Sequence, residues 1–389
     1  MKCIITDEPI PIKLWLDDIE PGALNQARNL ARLPFAFGHI ALMPDCHEGF
    51  GMPIGGVMAT KNVIVPNAVG VDIGCGMCAV QTSLETITRK NLEKIIGEIS
   101  RKIPVGYKHH SSPPDVSRMP TRKSLDGLPV VAREYKSATR QLGTLGGGNH
   151  FIEIQKGSDG KIWVMVHSGS RNIGKQVADY YNRLAMQLNE KWKSAIPRSV
   201  QLAYLPMDSN EGQQYFEEMN YCLDFAYENR RWMVDAILEI LGNDFGGSFK
   251  SAPMINIAHN YASVEKHFSQ KVVVHRKGAT KASTNTIGII PGSQGANSFI
   301  VKGKGNAESF ESCSHGAGRK MGRKEAIRSL NLSSEREKLE KQGIIHALHK
   351  TTDLEEAMGA YKDIHTVMKN QNDLVEVLVE LKPLGVIKG

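Results

Sequence analysis

No run of 18 apolar residues occurs anywhere in this 389-residue chain, which excludes a hydrophobic helical span of the usual length. The stretch Met1 to Lys13 also lacks an apolar signal core, so the expectation is a cytoplasmic protein with no membrane partner. Cysteines are few and irregularly placed (Cys3, Cys46, Cys75, Cys78, Cys222, Cys313). That spacing argues against a disulfide framework, and a chain this long buries enough surface to fold without one. The glycine-rich phosphate loop G-x-x-x-x-G-K-[ST] is missing, so a nucleotide would be held by other means. The lysine-nucleophile signature K-x-D-G is missing too. Lys123-Ser124-Leu125-Asp126-Gly127 comes near but has one residue too many, and reads as a turn. A covalent nucleotide intermediate would therefore need a carrier other than lysine. There is no internal repeat and no low-complexity tail.

What is present is ordinary globular composition, 41% hydrophobic and 23% charged. The net charge of +7 is compatible with an anionic partner such as nucleic acid, although no block of cations dominates. The densest groups are Arg319, Lys320, Arg323 and Lys324, and the pair Arg276-Lys277. The 37 glycines fall largely in tight clusters, several of them beside histidine or cysteine.

Short apolar runs at 63–65, 78–82, 162–166, 272–275 and 286–290 predict strands. Residues 91–101 predict a short amphipathic helix, and 104–128, dense in Pro, Ser, His and basic residues, an exposed loop. Two long helices are expected at about 175–193 and 213–241, the second from the spacing of Phe216, Met219, Leu223 and Ala226, with a connector at 196–212. A helical segment near 354–369 and a last strand at 374–381 close the chain. Strands and helices without a βαβ rhythm indicate an α+β fold, with mixed sheets flanked by helices. The expected organisation is a single catalytic domain over 1–389 with a helical excursion at about 175–242.

The residues that carry chemistry sit in the glycine clusters. In Val71-Asp72-Ile73-Gly74-Cys75-Gly76 a carboxylate and a thiol three residues apart can face one point, because glycine lets the backbone approach closely. Cys75-x-x-Cys78 also admits a zinc or redox reading, although no second cysteine pair accompanies it. His150 follows Gly146-Gly147-Gly148-Asn149, and His167 ends an apolar strand before Ser168-Gly169-Ser170-Arg171. His259 precedes Asn260, and His315 precedes Gly316-Ala317-Gly318-Arg319. Any one of these is most simply a structural histidine. Four of them, each beside Gly, Asn or Ser at an element end, together with Asp72 and Cys75, indicate a site for Zn²⁺, Mn²⁺ or Fe²⁺, and spacing does not choose between them. The other nine histidines are read as structural, with His47 in Pro44-Asp45-Cys46-His47-Glu48-Gly49 a partial exception.

Taken in order, these segments closely resemble the RtcB family of RNA ligases. The resemblance rests on Met43-Pro44-Asp45-Cys46-His47, Gly70-Val71-Asp72-Ile73-Gly74-Cys75-Gly76, Gly147-Gly148-Asn149-His150-Phe151 and His167-Ser168-Gly169-Ser170-Arg171. It continues through His259-Asn260, His275-Arg276-Lys277-Gly278-Ala279, Pro291-Gly292-Ser293, His315-Gly316-Ala317-Gly318-Arg319 and Gly385-Val386-Ile387-Lys388-Gly389, essentially the whole chain.

The resemblance implies an enzyme that joins an RNA 3′-phosphate or 2′,3′-cyclic phosphate to a 5′-hydroxyl with GTP and two Mn²⁺, in tRNA splicing or RNA repair. It implies that His315 is the nucleophile that becomes guanylylated. It further implies that Cys75 bridges the two ions, with His167 and His259 completing one site and Asp72 and His150 the other. Asn149, Phe151, Glu153, Asn260, Gly292, Ser293, Gly316, Ala317, Gly318 and Lys388 are similar to the family's guanine-nucleotide contacts. Arg171 and Arg319 are expected partners of RNA or triphosphate oxygens. An accessory activating protein is compatible with this reading. Gln294 stands where the family often carries Met, and Cys46, Cys78 and Cys313 have no expected role. Three other uses stay open from the residues alone: a metal-dependent phosphoesterase, GMP capping of nucleic-acid 3′-phosphates, and a non-catalytic RNA-binding subunit.

Overall fold

The computed structural model describes residues 1–122 and 124–389. Lys123 of the near-match to K-x-D-G lies outside the described residues, and Asp126-Gly127 form a turn. Two sheets dominate the α+β architecture. The first has six strands in the order Cys3–Ile5, Ile12–Leu14, Ala36–Phe50, Met52–Thr60, Gln270–Lys277 and Asn260–His267. The second has seven, in the order Ile255–Ala258, Gly76–Gln81, Ile162–Ser168, Phe151–Gly157, Val375–Lys388, Ser298–Gly303 and Ile287–Ile290. Every pairing in the second sheet is antiparallel.

Ile162–Ser168 is buried along its whole length because it lies inside the second sheet with both faces covered. Alternation divides its neighbours between two cores. Cys78, Val80, Ile152, Ile154, Val164 and Val166 pack against the helix Arg89–Lys102 and the second half of the long helix Asn210–Phe245. Met77, Ala79, Phe151, Trp163 and Met165 face the opposite way, and His167 shares their parity. This parity puts His167 on the face away from those helices.

The helix at 91–101 is found at Arg89–Lys102, its first turn capped by the Thr88 hydroxyl, which accepts the Asn91 N–H at 3.2 Å. The two long helices are Arg171–Lys191 and Asn210–Phe245. The second begins where Ser209 accepts the Gly212 N–H and ends at Gly246 with φ 79°. Its buried stripe runs through Tyr215, Met219, Cys222 and Ala226, while Phe216 and Leu223 are only partly covered. The described residues between 104 and 128 form no helix or strand beyond the short 3₁₀ turn Val116–Arg118.

Two expectations are corrected. The segment 354–369 is not one helix but the 3₁₀ turns Thr351–Glu356 and Met358–Ala360 followed by the helix Ile364–Lys369. The interruption has a cause: Tyr361 leaves the helical path to bridge Arg319, and the Gly359 N–H is held by Glu335 at 3.0 Å. The last strand does not stop at 381. It passes Pro383 through a register irregularity and continues to Lys388, which pairs with Phe151. Among the described residues no helix is long and apolar enough to cross a membrane.

Candidate active site and metal centre

Strand register brings the separated motifs to one end of the second sheet. Gly76 pairs with both Ser168 and Ala258, so Cys75, His167 and His259 emerge side by side. Phe151 pairs with His167, which brings His150 to the same end. The His259 N–H donates to the Cys75 carbonyl at 2.8 Å, and the Cys75 N–H to the Asp72 carbonyl at 3.1 Å.

Two ligand triads result, sharing Cys75: one with His167 and His259, the other with Asp72 and His150. Cys75 Sγ lies 3.2 Å from His167 Nε2 and 3.4 Å from His150 Nε2, and His150 Nε2 lies 3.4 Å from Asp72 Oδ2. The outward nitrogens of two rings are fixed by backbone. His150 Nδ1 faces the Leu145 carbonyl at 2.9 Å and His167 Nδ1 the Asn149 carbonyl at 3.1 Å, which directs each Nε2 toward the thiol. His259 Nδ1 is buried with no hydrogen-bond partner among the described residues.

The electrostatics suit a cation. Burial pushes His167 and His259 well below the usual histidine range, and neighbouring rings add to it, so both stay neutral with free lone pairs. Burial raises the Asp72 carboxyl, but the hydrogen bonds from His150 and Cys75 and the charges of His150 and Arg171 together outweigh this and hold it at about 2. Burial, reinforced by Asp72, pushes the Cys75 thiol well up, a state that a bound divalent ion would reverse. A thiol, three imidazoles and a carboxylate with unused donors converging on shared points fit a metal centre. Cys78 takes no part. It points to the opposite face of its strand, where burial pushes its thiol up to about 12. The Cys75-x-x-Cys78 pair is therefore no two-cysteine site.

His315 follows the strand Ser312–Ser314, and its ring centroid lies 4.8 Å from that of His259. Its Nδ1 meets Asp45 Oδ2 at 2.6 Å. Asp45 sits in a bulged stretch of Ala36–Phe50, where the register with Met52–Thr60 breaks between Leu42 and His47. Burial raises the Asp45 carboxyl, yet the His315 ring outweighs it and keeps it below the ordinary carboxylate range. Gly318 has φ +73°, and a Cβ there would overlap the Asp45 backbone. Only glycine lets the loop after His315 close over that carboxylate.

A cavity of about 1200 Å³ opens in front of His315. Asn149, Phe151, Gly292, Ser293 and Lys388 border it, as do Gly316, Ala317, Gly318 and Arg319. Lys320, Arg323, Lys324 and Arg328 continue the Arg319 side as a cationic wall. Glu356, 4% exposed, faces Arg319 Nη1 at 3.2 Å, Arg323 Nε at 3.4 Å and Lys388 Nζ at 3.8 Å, and accepts the Tyr361 hydroxyl.

Three residues expected at the site stand back from the cavity. Glu153 is buried beside it, its Oε2 accepting from Gln155 Nε2 at 2.6 Å, and burial pushes its carboxyl up to about 8. Asn260 uses its amide on backbone: Nδ2 donates to the Asp72 carbonyl at 3.1 Å, and Oδ1 accepts the Gly278 N–H at 2.8 Å. Arg171 lies behind the metal centre, with Nη1 3.5 Å from His150 Nδ1 and Nε donating to Thr144 Oγ1 at 3.2 Å. Gln294 accepts the Ala347 N–H at 3.2 Å. Sequence reasoning missed Asp45, Glu356 and Tyr361. For Asp45 a signal exists in the sequence, the polar cluster Pro44-Asp45-Cys46-His47-Glu48-Gly49 beside glycine.

The fold and site define a class: an α+β protein in which a carboxylate-oriented histidine stands beside two thiol-sharing clusters of ligand-type side chains at the mouth of a large cavity. The model of the tRNA-splicing ligase RtcB family matches residues 26–127 and 121–389, and the chain belongs to that family. It is 36% identical to the RNA-splicing ligase RtcB of Escherichia coli K12, over 99% of each chain. It is 31% identical to the tRNA-splicing ligase RtcB of Thermococcus kodakarensis, over 98% of this chain and 95% of the relative. The like-named protein of Nanoarchaeum equitans is 32% identical over the same shares.

Proposed function

We propose that this chain is an RNA ligase that uses GTP and Mn²⁺ to join RNA 3′-phosphate or 2′,3′-cyclic phosphate ends to 5′-hydroxyl ends, with 1–389 acting as one catalytic unit. The observation that carries the reading is His315, held by buried Asp45 through Nδ1, with Nε2 left as the attacking nitrogen beside the Cys75 centre. Family membership and the similarity to RNA-splicing and tRNA-splicing ligases support the substrate class.

In this reading His315 Nε2 attacks the α-phosphorus of GTP, a P–N bond forms and pyrophosphate leaves. Asp45 stabilises the positive charge that develops on the ring, and its bond to Nδ1 keeps the tautomer correct. An RNA 3′-phosphate oxygen then takes the GMP from His315, which restores the neutral ring. The 5′-hydroxyl attacks the activated phosphate and GMP departs. A cyclic phosphate end is first opened by water to the 3′-phosphate. Asp72, Cys75, His150, His167 and His259 would hold two Mn²⁺, which supply charge neutralisation on the phosphates. Asn149, Phe151, Ser293 and Lys388 would line the nucleotide, with Glu153 selecting guanine through its N1 and N2 donors. Asn260, its amide already spent on backbone, would act there by shaping the loops. Arg319 and the cationic wall would receive triphosphate or RNA oxygens, and Arg171 would support the phosphate side of the metal centre. The setting would be cytoplasmic tRNA splicing or RNA repair, with an accessory activating protein where turnover demands one.

The test is incubation with α-labelled GTP and Mn²⁺, followed by denaturing electrophoresis. Acid-labile, alkali-stable label on the protein, absent in His315→Ala while metal content persists, is the expected result. Absence of label with metal loaded would overturn the histidine–GMP step and favour a phosphoesterase. Loss of label and metal together in the variant would make His315 a ligand instead.

A further inference from the structure

The long helix Asn210–Phe245 does not border the cavity, yet its middle carries two polar residues buried as deeply as the core: Asn229 at 0% and Arg230 at 2% exposure. Arg230 Nη1 donates to the Gly74 and Ser168 carbonyls, both at 2.9 Å, and Nε to Asn256 Oδ1 at 2.7 Å. Gly74 immediately precedes Cys75, and Ser168 immediately follows His167. One guanidinium nitrogen therefore clasps the two segments whose side chains meet at 3.2 Å.

Asn229 grips the adjoining backbone. Its Oδ1 accepts the Gly143 and Thr144 N–H groups at 2.7 and 3.1 Å. Its Nδ2 reaches the Thr144 carbonyl at 3.2 Å, and Ser168 Oγ and the Gly169 carbonyl at 3.1 Å each. Leu145, the next residue, accepts from Ser168 Oγ and faces the His150 ring. Gly169 has no room for a side chain, since a Cβ there would lie 2.7 Å from Asp72 Oδ1. The two helix residues thus touch the backbone of the segments that carry Cys75, His167 and His150.

Arg230 has no carboxylate within ion-pair distance among the described residues. A buried guanidinium without an anion is costly, and an apolar side chain would pack the same helix against the same sheet at less cost. Its hydrogen bonds serve the geometry of the loops rather than the packing of the helix.

We propose that Arg230, with Asn229 beside it, is a positioning residue of the metal centre. From the helical excursion it sets the spacing of the Cys75 and His167 segments, and so the affinity for the divalent ion. The inference rests on the metal reading of the site given above. It is tested by titrating the full chain with Mn²⁺ and following the free-ion signal by electron paramagnetic resonance, for wild type, Arg230→Lys and Asn256→Ala. Arg230→Lys keeps the charge but cannot hold all three acceptors. It is expected to weaken Mn²⁺ binding by about tenfold or more, the usual size for a residue that orients ligands. Excess Mn²⁺ should restore guanylylation. Asn256→Ala frees Nε and leaves both carbonyl contacts, so it should shift affinity in the same direction by less. A folded Arg230→Lys with a lowered melting temperature but wild-type Mn²⁺ affinity overturns the inference alone. If that variant does not fold, unchanged affinity in Asn256→Ala does the same. A wild-type chain that binds no divalent ion overturns the metal reading beneath it.

Discussion

Asp45 Oδ2 and His315 Nδ1 meet at 2.6 Å although 270 residues separate them in the chain. The same oxygen accepts the backbone N–H of His315 at 3.0 Å and of Gly316 at 3.3 Å. One buried carboxylate oxygen therefore sets the ring and the start of the loop after it. Its other oxygen, Oδ1, is buried with no partner among the described residues, so the group is committed to His315.

Asp45→Asn tests that relationship. The amide is nearly isosteric but cannot stabilise a charged ring or guarantee the tautomer. Single-turnover labelling with GTP should slow by on the order of 10²–10⁴-fold, the range for an impaired acid–base partner. Metal content should match wild type. A labelling rate within about twofold of wild type would remove Asp45 from the mechanism.

Cys75→Ala removes the thiol common to both triads, with its contacts to His167 and His150. Manganese stoichiometry, measured by elemental analysis after dialysis, should fall together with His315 labelling. Full stoichiometry in this variant would count against a bridging thiol and leave two independent sites, one of His167 and His259 and one of Asp72 and His150.

Glu153 gives a pH signature. Burial holds its carboxyl near 8 in the free protein, whereas guanine N1 and N2 donors would favour the carboxylate and lower that value on binding. Nucleotide binding then releases a proton below about pH 8. GTP affinity should rise with pH up to that point, by at most about tenfold per unit, and level off above it. Glu153→Gln should bind GTP more weakly and lose this slope. Equilibrium dialysis across the range decides the matter. A wild-type affinity that falls as pH rises would show that Glu153 is bound in its neutral form.

Much of the site was legible because its chemistry is local. Asp72 and Cys75 share one glycine-flanked turn, and His150, His167, His259 and His315 each sit beside small residues at an element end. The helices Arg171–Lys191 and Asn210–Phe245 were legible from apolar spacing, although of the four residues that predict the second only Met219 and Ala226 lie in its buried stripe, with Phe216 and Leu223 at its margin. The helix expected at 354–369 failed because Tyr361 is drawn into an extended bridge with Arg319, a pairing invisible to periodicity. Pro383 and Gly385 read as the end of a strand, yet the sheet accommodates them in a bulge and carries Lys388 to the cavity.

By itself the amino-acid sequence determined the α+β class, the family resemblance and the set of ligand-type side chains, all of which follow from residue type and short-range pattern. Only the tertiary structure decided which of them meet. Strand register aligned Cys75, His167 and His259, a bulge turned Asp45 toward His315, and a helix distant in sequence supplied Arg230. Such pairings depend on long-range register and on where buried polar groups find partners, and neither has a local trace in the chain.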